Sequence, residues 1–75
     1  MQSLDDSRLL VRIGAAVRAR RKECGLSQHQ LALLSGLDRT FVGGVERGER
    51  NLSVITLHQI SKALDASITL FLQDK

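Results

Sequence analysis

Seventy-five residues with no proline and only two aromatic side chains (Phe41 and Phe71) suit one small helical domain, 1–75, rather than a multidomain enzyme. The formal charge is +3, yet residues 8–50 hold nine Lys/Arg against four acids, residues 1–7 carry −2 and residues 51–75 are neutral, so positive charge gathers mid-chain, as on a polyanion binder or a solvated basic face. A single cysteine excludes an internal disulfide, the acidic amino terminus lacks a signal peptide's apolar run, and no segment nears the roughly 20 apolar residues of a membrane span, so a cytoplasmic protein is expected.

In chain order, Met1 to Leu4 carry no structural signal. Asp5, Asp6 and Ser7 can each cap a first helix, with acids favourable at its positive end. Leu10, Ile13, Val17 and Cys24 mark its apolar stripe, which runs to Gly25, and Arg18, Arg20 and Lys22 suit its carboxyl end. Leu9 and Val11 lie beside the stripe and suit a partner surface. Gly14 costs about 1 kcal/mol relative to alanine in mid-helix, which predicts the close approach of another helix. Arg21 falls on the buried stripe, where arginine needs a partner. Glu46 is the acid placed to point back, so an ion pair Arg21–Glu46 is expected.

The stretch from Ser27 to Arg47 organises the chain. Ser27 is an N-cap with Gln30 placed to close a capping box. Leu31 and Leu34 give helix 2 a stripe, and Ala32 a small contact. Gly36 suits a left-handed C-cap and Asp38 an N-cap for helix 3, where Val42 and Val45 turn inward. Arg39, Thr40, Gly43 and Gly44 stay off that apolar face. This is a helix-turn-helix pattern, and its geometry suits carrying Arg39 and Thr40 to base edges in a DNA major groove. The glycine pair weakens helix 3 by roughly 1–2 kcal/mol. Close approach to DNA accounts for it somewhat better than close packing on helix 2.

Gly48-Glu49-Arg50-Asn51 reads as a loop, where Arg47, Arg50 and Asn51 would pass the sugar-phosphate backbone. Ser53 caps a fourth helix with Val54, Leu57, Ile60 or Ser61, and Leu64 inward, and Ile55 outward. In the last segment Ile68, Phe71 and Leu72 fit a helix face, while Ile68, Leu70 and Leu72 fit a strand. Ser67 as N-cap and the helical context favour a short fifth helix. Ile55, Gln59, Ile68, Leu70 and Phe71 are assigned to a homodimer contact. His29 and His58 stand alone, Cys24 has no metal-ligand partner, and Gly43-Gly44 is no phosphate loop, so neither catalysis nor a cofactor is expected. The scarcity of aromatics disfavours single-stranded RNA.

The run GLSQHQLALLSGLDRTFVGGVERGERN resembles the Xre group of helix-turn-helix proteins, which includes Cro and the lambda-type repressors, across residues 9–72. Ile13, Arg18, Arg21, Gly25, Leu26, Ser27, Gln28, Leu31, Ala32, Gly36, Val45, Glu46, Gly48 and Leu57 stand where that group has such residues. Within it, LDRTFVGGVERGERNLS followed by ALDASITLF is most similar to the controller proteins of restriction–modification systems. The resemblance implies an all-α, compact five-helix bundle, lambda repressor-like and homodimeric. It implies a double-stranded DNA operator as partner, bound by one dimer and then a second to activate and then repress, with no membrane or small-molecule partner. It also implies that Gln28 contacts phosphate, that Arg39 and Thr40 read bases with Phe41 close to the DNA backbone or a thymine methyl, and that Gly43 and Gly44 face the groove. Arg47, Arg50 and Asn51 would grip phosphates, and Arg21–Glu46 would be a structural pair. Larger polar residues are common in the group at Gly43-Gly44, so readout there would lean on DNA shape. Antitoxins and phage or plasmid repressors share the domain; a helical protein-binding adaptor is a reading of another class.

Overall fold

The computed structural model describes the backbone of Ser3 and Leu4 and residues 6–73. Five helices carry the fold: α1 (Ser7–Glu23), α2 (Gln28–Ser35), α3 (Arg39–Glu46), α4 (Val54–Ala63) and α5 (Ile68–Leu72). Two short strands, β1 (Ser3–Leu4) and β2 (Leu52–Ser53), pair antiparallel with Leu4 opposite Leu52. The ladder departs from a purely helical chain and shows that Ser3 and Leu4 are structured. The register sets Ser3 opposite Ser53, a partner too remote in sequence for local periodicity to reveal.

The Asp6 carboxylate caps α1 by accepting from the N–H groups of Arg8 (2.9 Å) and Leu9 (3.3 Å). Asp5 lies outside the described residues. Leu10, Ile13, Gly14, Val17 and Arg21 form the buried stripe of this helix. Cys24 does not extend it: α1 stops at Glu23, and Cys24 is an exposed C-cap whose Sγ sits 3.6 Å from the Leu64 carbonyl oxygen. A Cβ on Gly14 would collide with the Val45 carbonyl oxygen and reach within 2.8 Å of that of Glu46, so the expected close approach is α1 against the carboxyl end of α3.

The capping box at Ser27 and Gln30 is complete, with bonds of 3.0 and 2.8 Å, and Gly36 closes α2 with φ +73°. Leu31, Ala32 and Ser35 form the inner face of α2. Leu34 is 62% exposed, contrary to expectation, because the inward arc runs through Ser35, whose hydroxyl is satisfied by donating to the Leu31 carbonyl at 2.7 Å. Asp38 occupies the N-cap of α3, exposed, and its side chain makes no capping bond. Val42 and Val45 are buried as expected.

The Ser53 hydroxyl accepts from the Thr56 N–H at 3.0 Å to start α4, and Leu57, Ile60, Ser61 and Leu64 all turn inward. Val54 is exposed because it is the first residue of α4, one turn short of the packed face. The ambiguous last segment is helical, with Ser67 accepting from the Thr69 N–H at 3.3 Å. α1 packs on α3 and α5, and α2 on α3 and α4, around Ile13, Val17, Leu31, Val42, Val45, Leu52, Leu57, Ile60, Leu64 and Phe71. Arg20 ties the ends of α1 and α4 together: its Nε donates to the Leu64 carbonyl at 3.0 Å and its Nη2 to the Asp65 carbonyl at 3.3 Å.

Candidate nucleic-acid interface

The site is built on a buried ionic knot beneath α3. The Arg21 guanidinium donates to both Glu46 carboxylate oxygens, Nε to Oε2 at 2.6 Å and Nη2 to Oε1 at 3.0 Å, and its Nη1 donates to the Leu26 carbonyl at 2.8 Å. The pairing expected between α1 and α3 is therefore present and buried. Gln28 joins it, its Nε2 donating to Glu46 Oε1 at 3.0 Å. Burial pushes the Glu46 carboxyl up, but the hydrogen bonds from Arg21 and Gln28 and the nearby charges of Arg21 and Arg18 outweigh that and hold it below the usual glutamate range. The same hydrogen bond, opposed by burial, holds the Arg21 guanidinium above its ordinary value. The knot locks the carboxyl end of α3 to α1 and to the first residue of α2, which fixes the direction in which α3 projects.

Arg39 and Thr40, in the first turn of α3, are exposed. Val42, Val45 and Glu46, on the far side, are buried. The helix thus presents one polar edge on a rigid support. Phe41 is half-buried and packed against the core rather than projecting freely. The Arg50 guanidinium lies 5.5 Å from the centre of its ring. Arg47 and Asn51 are exposed, and Arg47 pairs with Glu49 at 2.9 Å. An exposed pair of this kind contributes about 0–1 kcal/mol, so Arg47 is readily released to another anion.

One expected site feature differs. Gly43 and Gly44 are buried, and the space where their side chains would stand meets Arg47 and Gln28 over Gly43 and Arg50 over Gly44. Bare backbone does not face outward there because the neighbouring long side chains fold across it. Gln28 has committed one amide hydrogen to Glu46, leaving the other for an outside acceptor. Arg18, given no role from sequence beyond its helix end, lines a shallow depression with Ala15, Ala19, Lys22 and Glu46, which widens the basic face beside α3. Its charge and its place four positions before Lys22 on α1 were the available signal.

Of the residues expected at a homodimer contact, Ile55 (68%), Leu70 (42%) and Gln59 are exposed, whereas Ile68 is half-buried against the core. Phe71 is 2% exposed and belongs to the core of a single chain. It is the largest apolar group of α5, and the short helix docks through it. Among the described residues no group of His, Cys, Asp and Glu could hold a metal ion, and no helix is long and apolar enough to cross a membrane.

The helix-turn-helix family profile matches residues 17–71. Control protein C.SmaI of Serratia marcescens is 52% identical over 52 residues, covering 69% of this chain and 62% of the relative, so the match spans under two thirds of that protein. The restriction-modification controller protein C.AhdI from Aeromonas hydrophila superposes with a TM-score of 0.81 at 48% identity, over 83% of this chain and 94% of that one. The controller protein C.Esp1396I, solved as a tetramer in complex with its natural 35 base-pair operator, superposes with a TM-score of 0.81 at 39% identity, over 88% of this chain and 87% of that one. With its capping box, left-handed turn and buried knot all in place, the chain belongs to the helix-turn-helix family and, within it, to the controller proteins of restriction–modification systems.

Proposed function

We propose that the chain is a cytoplasmic transcriptional regulator, not an enzyme, that binds a pseudo-palindromic double-stranded operator as a homodimer. The observation that carries this reading is the polarity of α3: Arg39 and Thr40 stand exposed on a helix whose opposite side is immobilised by Val42, Val45 and the Arg21–Glu46 knot. Arg39 and Thr40 would read base edges in the major groove, and Arg47, Arg50 and Asn51, with the free amide hydrogen of Gln28, would hold phosphates on either side. Ile55, Gln59 and Leu70 would meet their counterparts across the two-fold axis. The operator complex of C.Esp1396I contains a tetramer; here, one dimer would occupy a first site and activate, and a second would follow as protein accumulates and repress. The helical form of Ile68–Leu72 favours this over an antitoxin, for which a strand at that place would have argued.

The test is a gel-shift titration on the DNA immediately upstream of the chain's own start codon, against random duplex competitor. Two sharp, competitor-resistant complexes forming in sequence are expected. Diffuse binding that random duplex abolishes would overturn sequence-specific control of its own gene.

A further inference from the structure

Glycines weaken a helix, and α3 carries two in succession in the element on which recognition depends. A Cβ on Gly44 would stand 2.6 Å from Cγ of Arg50, 3.2 Å from its Nε and 3.4 Å from its Cδ, so the Arg50 stem lies flat on the α3 backbone where a side chain would otherwise be. The guanidinium at the end of that stem lies over the Phe41 ring, itself held by the core. Helix backbone and aromatic ring together form a seat for one cation. We propose that Gly44 is a positioning residue for Arg50: by leaving this space empty it holds the guanidinium beside α3 before DNA arrives. A phosphate is then met by a side chain already ordered, and less rotamer freedom is lost on binding. Gly43 differs, since its nearest neighbour is the far end of Arg47, at 3.2 Å. The inference rests on the DNA-binding reading above.

The test uses the full chain as wild type, Gly44→Ala, Arg50→Ala and the double variant, with operator affinity measured across a salt series. Gly44→Ala is expected to melt no lower than wild type, because alanine favours the helix, and to weaken binding several-fold. Arg50→Ala should reduce the salt slope by about 1 for each protomer bound, about 2 for a dimer, and the double variant should bind no more weakly than Arg50→Ala alone. A Gly44→Ala loss that persists undiminished in the Arg50→Ala background would overturn the seat and assign Gly44 to direct approach of DNA. Unchanged affinity in Gly44→Ala would overturn it as well. Phe41→Leu supplies a second route, with the same loss of additivity expected. Nuclear magnetic resonance of the free protein separates this inference from the DNA reading: Arg50 side-chain protons should show upfield ring-current shifts that Gly44→Ala abolishes. Random-coil shifts in wild type would overturn the seat whatever the DNA result.

Discussion

At the scale of single residues, Glu46 bears the largest consequence. Its carboxylate accepts from Arg21 and Gln28 in a buried setting, so removing it leaves a guanidinium buried without its partner. Glu46→Ala should destabilise the fold by about 3–5 kcal/mol in urea denaturation. Because the folded carboxyl sits below its ordinary value, it contributes stability at pH above the unfolded glutamate range. That contribution is lost as pH falls through the folded value. The urea midpoint of wild type should therefore drop on acidification below the ordinary glutamate range, and Glu46→Gln should flatten that part of the profile. Arg39, exposed and without structural duty among the contacts described, should behave in the opposite way: Arg39→Ala should leave the melting temperature unchanged while costing about 1–3 kcal/mol of operator binding at one base position.

At the scale of elements, helix ends and crossings decide the predictions. Asp65, just past the C-cap of α4, sits at φ +53°, a left-handed conformation costly for a side chain with a Cβ. Asp65→Gly should raise stability by up to about 1 kcal/mol, read as a higher melting temperature. Gly14 shows the reverse case. Alanine there would favour the helix, yet its Cβ would meet the backbone carbonyls of Val45 and Glu46, which cannot swing aside as a side chain would. Gly14→Ala should cost about 1–3 kcal/mol by overpacking, and calorimetry would show it. Its effect should reach DNA binding too, because the displaced segment carries Glu46 and the carboxyl end of α3.

For the whole molecule, size constrains how DNA is met. The protein measures 28 × 24 × 19 Å. One turn of B-DNA spans roughly 34 Å, so on the proposed reading a single chain would reach one half-site and a second copy would take the next. Ile55 and Leu70 are exposed apolar side chains, and burying them would favour association. Ile55→Asp combined with Leu70→Asp should leave the circular dichroism spectrum unchanged and shift sedimentation to monomer, with operator affinity falling in step. A dimer persisting in that variant would place the two-fold contact elsewhere.

Local rules carried much of this protein. Caps at Ser27, Ser53 and Ser67, the left-handed turn at Gly36 and the inward Val42 and Val45 depend on neighbours within one or two helical turns, and such interactions are written in short stretches of sequence. The Arg21–Glu46 pair was legible for a different reason: a buried guanidinium requires an anion, and few acids were placed to serve. What lay beyond the sequence depends on distant segments meeting. The pairing of Ser3–Leu4 with Leu52–Ser53, the outward turn of Leu34 and Val54, the exposure of Cys24 and the burial of Phe71 follow from where each helix starts, stops and docks. Periodicity names the face of a helix, but only the assembled core determines how far along that face the packing extends. The filling of the space above Gly43 and Gly44 by Gln28, Arg47 and Arg50 is of the same kind, since it takes a helix, a loop and the preceding helix together to place those side chains.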